Sequence, residues 1–125
     1  MRIGDEHNFL LIEECTLEGD YAVLRVEAMA SASGRKFTAS NDRLMMEVSD
    51  ETIQRFLDFA ALKIAKFETG LTESGYVRFQ RDSHGAITVR YRIGGWKALA
   101  AMEGELLVGG EFANRFCRDF EALIR

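Results

Sequence analysis

One turn constrains how the second half of the chain folds. Residues 76–82 and 86–93 each alternate between apolar and polar side chains, as strands with one buried face do. A three-residue loop, Ser83-His84-Gly85, pairs Phe79 with Val89 and leaves the apolar side chains of both strands on one face, which a two-residue loop would not. Because glycine readily adopts the left-handed conformation that such a loop needs last, we predict this hairpin register.

A second hairpin is predicted at Gly94-Gly95, a dipeptide typical of two-residue turns. It would pair Ile93 with Trp96 and Tyr91 with Ala98, so that the apolar sets again coincide. The following strand, residues 96–108, would then turn four side chains toward the core and contain a bulge near Gly104. Those four are Trp96, Ala98, Ala100 and Met102.

Two segments have the three- and four-residue apolar spacing of amphipathic helices. In the first, Ser49 or Asp50 is a suitable N-cap, a stripe of apolar residues continues to Phe67, and Gly70 is a plausible end. The second covers residues 111–124. Its apolar stripe consists of Phe112, Ala113, Phe116, Cys117, Phe120, Leu123 and Ile124.

The order of the predicted elements indicates an α+β fold. Strands at residues 8–16, 21–30 and 35–48 precede the first helix, so the chain follows the order βββα-βββα. One apolar face on each strand and helix predicts a two-layer sandwich in which an antiparallel sheet of about six strands carries both helices on one face. We expect residues 1–125 to form a single domain.

Composition narrows the function classes. The 125 residues carry a net charge of −4, which makes general nucleic-acid binding a poor expectation. No apolar run is long enough to span a membrane, and residues 1–7 lack the apolar stretch of a secretory signal. The two cysteines are far apart and belong to no metal-binding motif, as expected for reduced thiols. We therefore expect a cytoplasmic protein without a membrane partner, a nucleic-acid partner, a cofactor or a metal.

A catalytic site is not predicted. Asp82, Ser83 and His84 are consecutive residues of a tight turn, whereas a catalytic triad is assembled in space around a buried acid. The chain has no phosphate-binding loop, dinucleotide-binding motif or nucleophile elbow. The sequence thus indicates a binding protein rather than an enzyme.

The predicted hairpin register does create one candidate partner-binding surface. Arg78 and Arg90 would face each other on the exposed side of the sheet, where like charges repel unless an anion lies between them. Two interpretations stay open: carboxylates of the same chain, from Glu27, Glu103 or Glu105, neutralise this face, or it binds an acidic ligand or protein. The candidate residues are Arg78, Arg90, Arg92, Lys97 and Leu99.

Three segments resemble a family of small bacterial proteins that includes the immunity proteins of WapI-type toxins. They are Ile53-Gln54-Arg55-Phe56-Leu57, Asp82-Ser83-His84-Gly85-Ala86-Ile87-Thr88-Val89 and Gly110-Glu111-Phe112-Ala113-Asn114-Arg115-Phe116, within a likeness that covers residues ~35–125. The resemblance implies a non-catalytic protein that binds and neutralises a cognate toxin in the cytoplasm. The alternative is a small ligand-binding or homodimeric domain that uses the open sheet face.

Overall fold

The computed structural model describes all residues from Met1 to Arg125, which form eight strands and two α-helices. The strands are β1 (Arg2–Gly4), β2 (Phe9–Glu18), β3 (Tyr21–Ala32), β4 (Arg35–Glu47), β5 (Lys66–Glu68), β6 (Gly75–Arg81), β7 (Ile87–Ile93) and β8 (Met102–Val108). The helices are α1 (Asp50–Ala60) and α2 (Ala113–Ile124), and a 3₁₀ turn (Gly110–Phe112) precedes α2. Neither helix has the length and apolar character needed to cross a bilayer.

Two antiparallel sheets replace the single sheet of about six strands expected from the sequence. Strands β1 to β4 form sheet A and strands β5 to β8 form sheet B, each in chain order. The repeated unit is therefore four strands and a helix instead of three strands and a helix, because each half begins with a three-residue strand, β1 or β5. The predicted α+β class is confirmed.

One hydrophobic core joins both sheets and both helices. Phe79 of β6 lies at its centre, with the ring centroids of Phe120 and Phe116 at 4.8 and 5.0 Å. Phe56 of α1 is 5.4 Å from the ring of Phe67 on β5. Helix α1, which belongs to the first half of the chain, thus packs against the sheet formed by the second half.

Helix α1 is shorter than its apolar stripe predicted. Ser49 caps its N-terminus by accepting the backbone N–H of Thr52, but the helix ends at Ala60. Leu62 follows in the left-handed conformation, with a φ of 65°. The Leu62 N–H donates to Phe59 and the Lys63 N–H to Asp58, which completes a Schellman C-cap without glycine. Phe67, predicted in the helix, lies buried in β5 instead.

The hairpin of β6 and β7 has the predicted register. Phe79 pairs with Val89, and Val77 pairs with Tyr91. The backbone N–H of Asp82 donates to the carbonyl of Ala86, which leaves a three-residue loop, and Gly85 has a φ of 84°. The apolar side chains of this hairpin consequently face the core, and its arginines at positions 78, 90 and 92 lie on the opposite, outer face.

The predicted pairing around Gly94-Gly95 is wrong. Strand β7 pairs with residues Met102–Val108, so that Ile93 lies opposite Met102 and Tyr91 lies opposite Gly104 with no bulge. A Cβ atom at Gly104 would lie 2.2 Å from the Tyr91 ring, so the ring requires a glycine across the strand. Residues 94–101 form a loop in which Trp96 is exposed rather than buried.

Replacing Gly104 with alanine should therefore destabilise the protein. The added methyl group overlaps the buried Tyr91 ring, and such overpacking typically costs about 1–3 kcal/mol. Urea denaturation followed by circular dichroism measures the loss. Gly70→Ala is the control, because the Cβ there would meet open space and the backbone does not have a positive φ. Equal stability of Gly104→Ala and wild type would contradict the proposed contact.

Candidate functional site

The surface predicted from the hairpin register exists in part. Arg78 and Arg90 are directly opposite each other on the outer face of sheet B, as expected. The same cross-strand row continues to Glu68 on one side and to Glu105 on the other. The row therefore has acidic residues at both ends and the two arginines between them.

Carboxylates of the same chain neutralise most of this surface. The Nε of Arg90 lies 2.9 Å from Glu105, and a guanidinium nitrogen of Arg92 lies 2.9 Å from Glu103. Arg78 has no carboxylate within 4.0 Å; its guanidinium lies 3.8 Å from the ring centroid of Tyr76, and its Nε donates to the carbonyl of Thr69. Two of the three arginines are thus committed to ion pairs, and the assignment of this face to a partner stays a prediction.

Lys97 and Leu99 do not lie where the sequence predicted. Both belong to the loop between β7 and β8, because β7 pairs with residues 102–108 instead of 96–102. Arg92 faces Glu103 rather than Lys97. The Nζ of Lys97 lies 2.8 Å from Glu73, and the hydrogen bond between them raises the pKa of the lysine. Leu99 is fully exposed in this loop and does not lie on the strand where it was predicted.

A different cationic surface is found on sheet A. The hairpin of β3 and β4 extends beyond β2, whose pairing begins with Phe9 opposite Met29. Residues 30–37, here named the arm, pair only with each other and turn at Ser33-Gly34, where both residues have positive φ. This is the geometry of a two-residue hairpin turn. The arm is therefore a two-stranded projection from the sheet.

Arg35, Lys36 and Phe37 make the arm a cationic and aromatic surface. All three side chains are exposed, and that of Phe37 is 55% exposed. Neither cation lies within 4.0 Å of a carboxylate. Residues 28–41 contain no Asp or Glu. The positive charge of the arm is consequently free to interact with an external anion.

The two faces of the arm differ. On the face that continues the core side of sheet A, Arg35 lies opposite Ala32 and Phe37 lies opposite Ala30. These small neighbours leave the ring of Phe37 open on a flat surface. Lys36 lies on the other face, opposite Ser31. Phe37 and Arg35 thus share one face of the arm, and Lys36 lies on the other.

The base of the arm is held by the loop between β1 and β2. The backbone N–H of Ser31 donates to the Asn8 side chain at 2.9 Å, and its hydroxyl donates to the carbonyl of His7 at 2.8 Å. Asp5 accepts the backbone N–H groups of Asn8 and His7, and these hydrogen bonds lower the pKa of its carboxyl group. The arm thus leaves the sheet in a defined direction.

Acidic residues surround the arm's base on the outer face of sheet A. Arg25 lies 3.1 Å from Glu13, 3.8 Å from Glu14 and 3.7 Å from Asp42. Three carboxylates around one guanidinium leave a negative balance there. An anionic ligand is therefore favoured on the Phe37 face of the arm and disfavoured on the outer face near its base.

Asp82 stabilises the turn that contains Ser83 and His84. The Asp82 carboxylate accepts the backbone N–H groups of His84 at 2.8 Å and Ala86 at 3.0 Å. Its oxygen is thus used by the backbone and does not orient the His84 ring, which is exposed.

Cys15 and Cys117 are both free thiols, and burial raises the pKa of each.

Comparison with known proteins adds structural neighbours only. No family model and no curated protein matches this sequence. A solved guide-RNA-binding protein complex bound to a guide RNA contains a chain with a similar fold, at a TM-score of 0.58 and 11% identity, over 95% of this chain and 86% of the other. MRP1/MRP2 of Trypanosoma brucei is similar at a TM-score of 0.58 and 10% identity, over 99% of this chain and 80% of that one.

This likeness corrects two expectations from the sequence. Neither structural neighbour is an immunity protein, and one belongs to a guide-RNA-binding complex, which contradicts the interpretation as a toxin-neutralising protein with a toxin partner. It equally contradicts the exclusion of a nucleic-acid partner. The exclusion relied on the net charge of the whole chain, which conceals the unpaired cations of the arm. The signal in the sequence is local: Arg35, Lys36 and Phe37 follow a Ser-Gly turn in a segment without acidic residues.

Proposed function

We propose that this protein binds single-stranded RNA through the arm, without catalysing a reaction. The observation that carries the proposal is the combination of two uncommitted cations and one exposed phenylalanine on residues 35–37. Proteins that bind single strands use this combination, because cations contact the phosphates while bases stack on aromatic rings. The similar fold of a chain from a guide-RNA-binding protein complex supports the choice of RNA.

Single-stranded rather than double-stranded RNA fits the arm. The stacking surface of Phe37 is open, and only an unpaired base exposes its flat face to such a ring. An A-form duplex is bound mainly through its backbone across a wide shallow groove, which calls for a broader basic surface than the arm provides. On sheet B, Arg90 is paired with Glu105 and Arg92 with Glu103, so these cations do not extend the basic surface.

Fluorescence anisotropy of a labelled 20-nucleotide oligo(U) tests the proposal on the wild-type protein. We expect saturable binding at 50 mM salt that exceeds binding of a duplex of equal length. If Arg35 and Lys36 each neutralise one phosphate, the logarithm of the affinity should fall with the logarithm of salt with a slope of about −1.4. Absence of binding at 50 mM salt, or stronger binding to the duplex, would overturn the proposal.

A further inference from the structure

Trp96 is the only tryptophan of the chain and its side chain is 57% exposed. It lies in the loop of residues 94–101, which contains no acidic residue. Large aromatic side chains are ordinarily buried, because exposure of their apolar surface to water is unfavourable. An exposed tryptophan on a loop without acidic residues offers a flat aromatic surface to an anionic ligand.

Backbone hydrogen bonds hold the start of this loop in place. The backbone N–H of Gly95 donates to the carbonyl of Glu73 at 3.0 Å, and the N–H of Gly94 donates to that of Ser74 at 2.9 Å. A Cβ at Gly95 would lie 1.9 Å from the carbonyl oxygen of Thr72, so the two segments are in close contact. The backbone that leads into Trp96 is therefore held in place before any ligand binds.

The segment that holds this loop also contacts the strand of the arm. The Ser74 hydroxyl accepts the backbone N–H of Met45, and the Thr72 hydroxyl donates to the Met45 carbonyl. Met45 lies on β4, eight residues after Phe37, a separation of about 26 Å along an extended strand. Strand β4 thus connects an exposed phenylalanine at one end with an exposed tryptophan near the other.

We infer that Trp96 is a second base-stacking position for the same RNA strand, an inference that rests on the proposed function. The loop contributes an aromatic ring and little free charge, because the only cation in it, Lys97, is paired with Glu73. A base offers a flat face to such a ring whatever its identity, so the contact is independent of sequence. A strand stacked at about 3.4 Å per nucleotide covers the stretch of β4 from Phe37 to Met45 with about eight nucleotides, so a 12-mer is longer than this stretch and a 4-mer is shorter.

The intrinsic fluorescence of the single tryptophan provides the test. Titration with a 12-nucleotide oligo(U) should quench Trp96 emission in parallel with the anisotropy change of a labelled 12-mer, whereas a 4-mer that reaches only one position should leave the emission near its starting value. Trp96→Ala should weaken 12-mer binding about tenfold and leave 4-mer binding unchanged. Trp96→Phe should retain most of the affinity, and Leu17→Ala, which removes an exposed apolar side chain of β2 outside both proposed contact positions, should bind like wild type.

The outcomes separate the two proposals. If the 12-mer binds by anisotropy while Trp96 emission and the Trp96→Ala affinity stay unchanged, the second stacking position is wrong and the arm proposal stands. If no oligonucleotide binds by anisotropy, the proposed function fails and this inference fails with it. A change in Trp96 emission with protein concentration alone, and none with RNA, would assign the loop to self-association and overturn the inference.

Discussion

Reversing both charges of the arm, Arg35→Glu with Lys36→Glu, should weaken binding of single-stranded RNA by at least about 100-fold at 50 mM salt. The substitutions remove the two cations proposed to contact phosphates and put carboxylates in their place, so attraction is replaced by repulsion. A 100-fold loss corresponds to about 2.7 kcal/mol. Anisotropy titrations with the 20-mer oligo(U) measure it, and the affinity of the variant should no longer decline with salt.

The matched control is Lys63→Glu with Arg118→Glu. Both residues are exposed and neither lies in an ion pair, and each double variant changes the net charge from −4 to −8. The control should lose far less affinity, because Lys63 and Arg118 lie outside the arm and exposed charges interact weakly beyond the screening length, about 14 Å at 50 mM salt. An equal loss in both variants would show that overall charge and not the arm determines binding.

Phe37→Ala should weaken binding without changing the salt slope, since it removes stacking and no charge.

Replacing Phe79 with alanine should have the largest effect on stability, a loss of about 3–5 kcal/mol in the free energy of unfolding. The ring is 1% exposed and lies between 4.8 and 6.4 Å from the centroids of five others. Alanine would leave a cavity in the cluster that joins both helices to sheet B. Such a loss is a large part of the free energy of unfolding of a typical domain, which is about 5–15 kcal/mol.

Urea denaturation of this variant followed by far-ultraviolet circular dichroism gives the free energy of unfolding. Phe37→Ala provides the control, because it removes the same side chain from an exposed position and should change stability by less than about 0.5 kcal/mol. A loss below about 1 kcal/mol for Phe79→Ala would mean that the ring is not at the centre of the packing. Neither result depends on RNA binding.

The sequence correctly predicted elements long enough to show a repeated apolar pattern, such as the hairpin of β6 and β7 and the start of helix α1. A three-residue loop, unlike a two-residue one, placed the apolar residues of β6 and β7 on the same face, and this comparison with Gly85 at the last loop position predicted Phe79 opposite Val89. The helical stripe likewise located α1 and its Ser49 cap. Strands β1 and β5 have only three residues each, too few to show an alternation, so the sequence did not predict them.

Two errors have local physical causes. The Gly94-Gly95 pair favours a tight turn, but the Tyr91 ring needs Gly104 across the strand, and the predicted pairing would have put Ala98 there. The end of α1 was misplaced because Leu62 occupies the left-handed cap position that glycine usually takes. The arm was overlooked for another reason: net charge is a sum over the chain, whereas binding depends on which cations lack a carboxylate neighbour.

The packing of α1 against the second sheet determines the order in which this chain can acquire structure. During synthesis, Phe56 and Phe59 leave the ribosome before Phe67 and Phe79, the rings they pack against. The amino-terminal half therefore has an exposed apolar helix until the carboxy-terminal half is made, and it gains no complete core alone. Although the chain repeats the same succession of strands and helix, its halves are interdependent, and their unfolding should be one cooperative event.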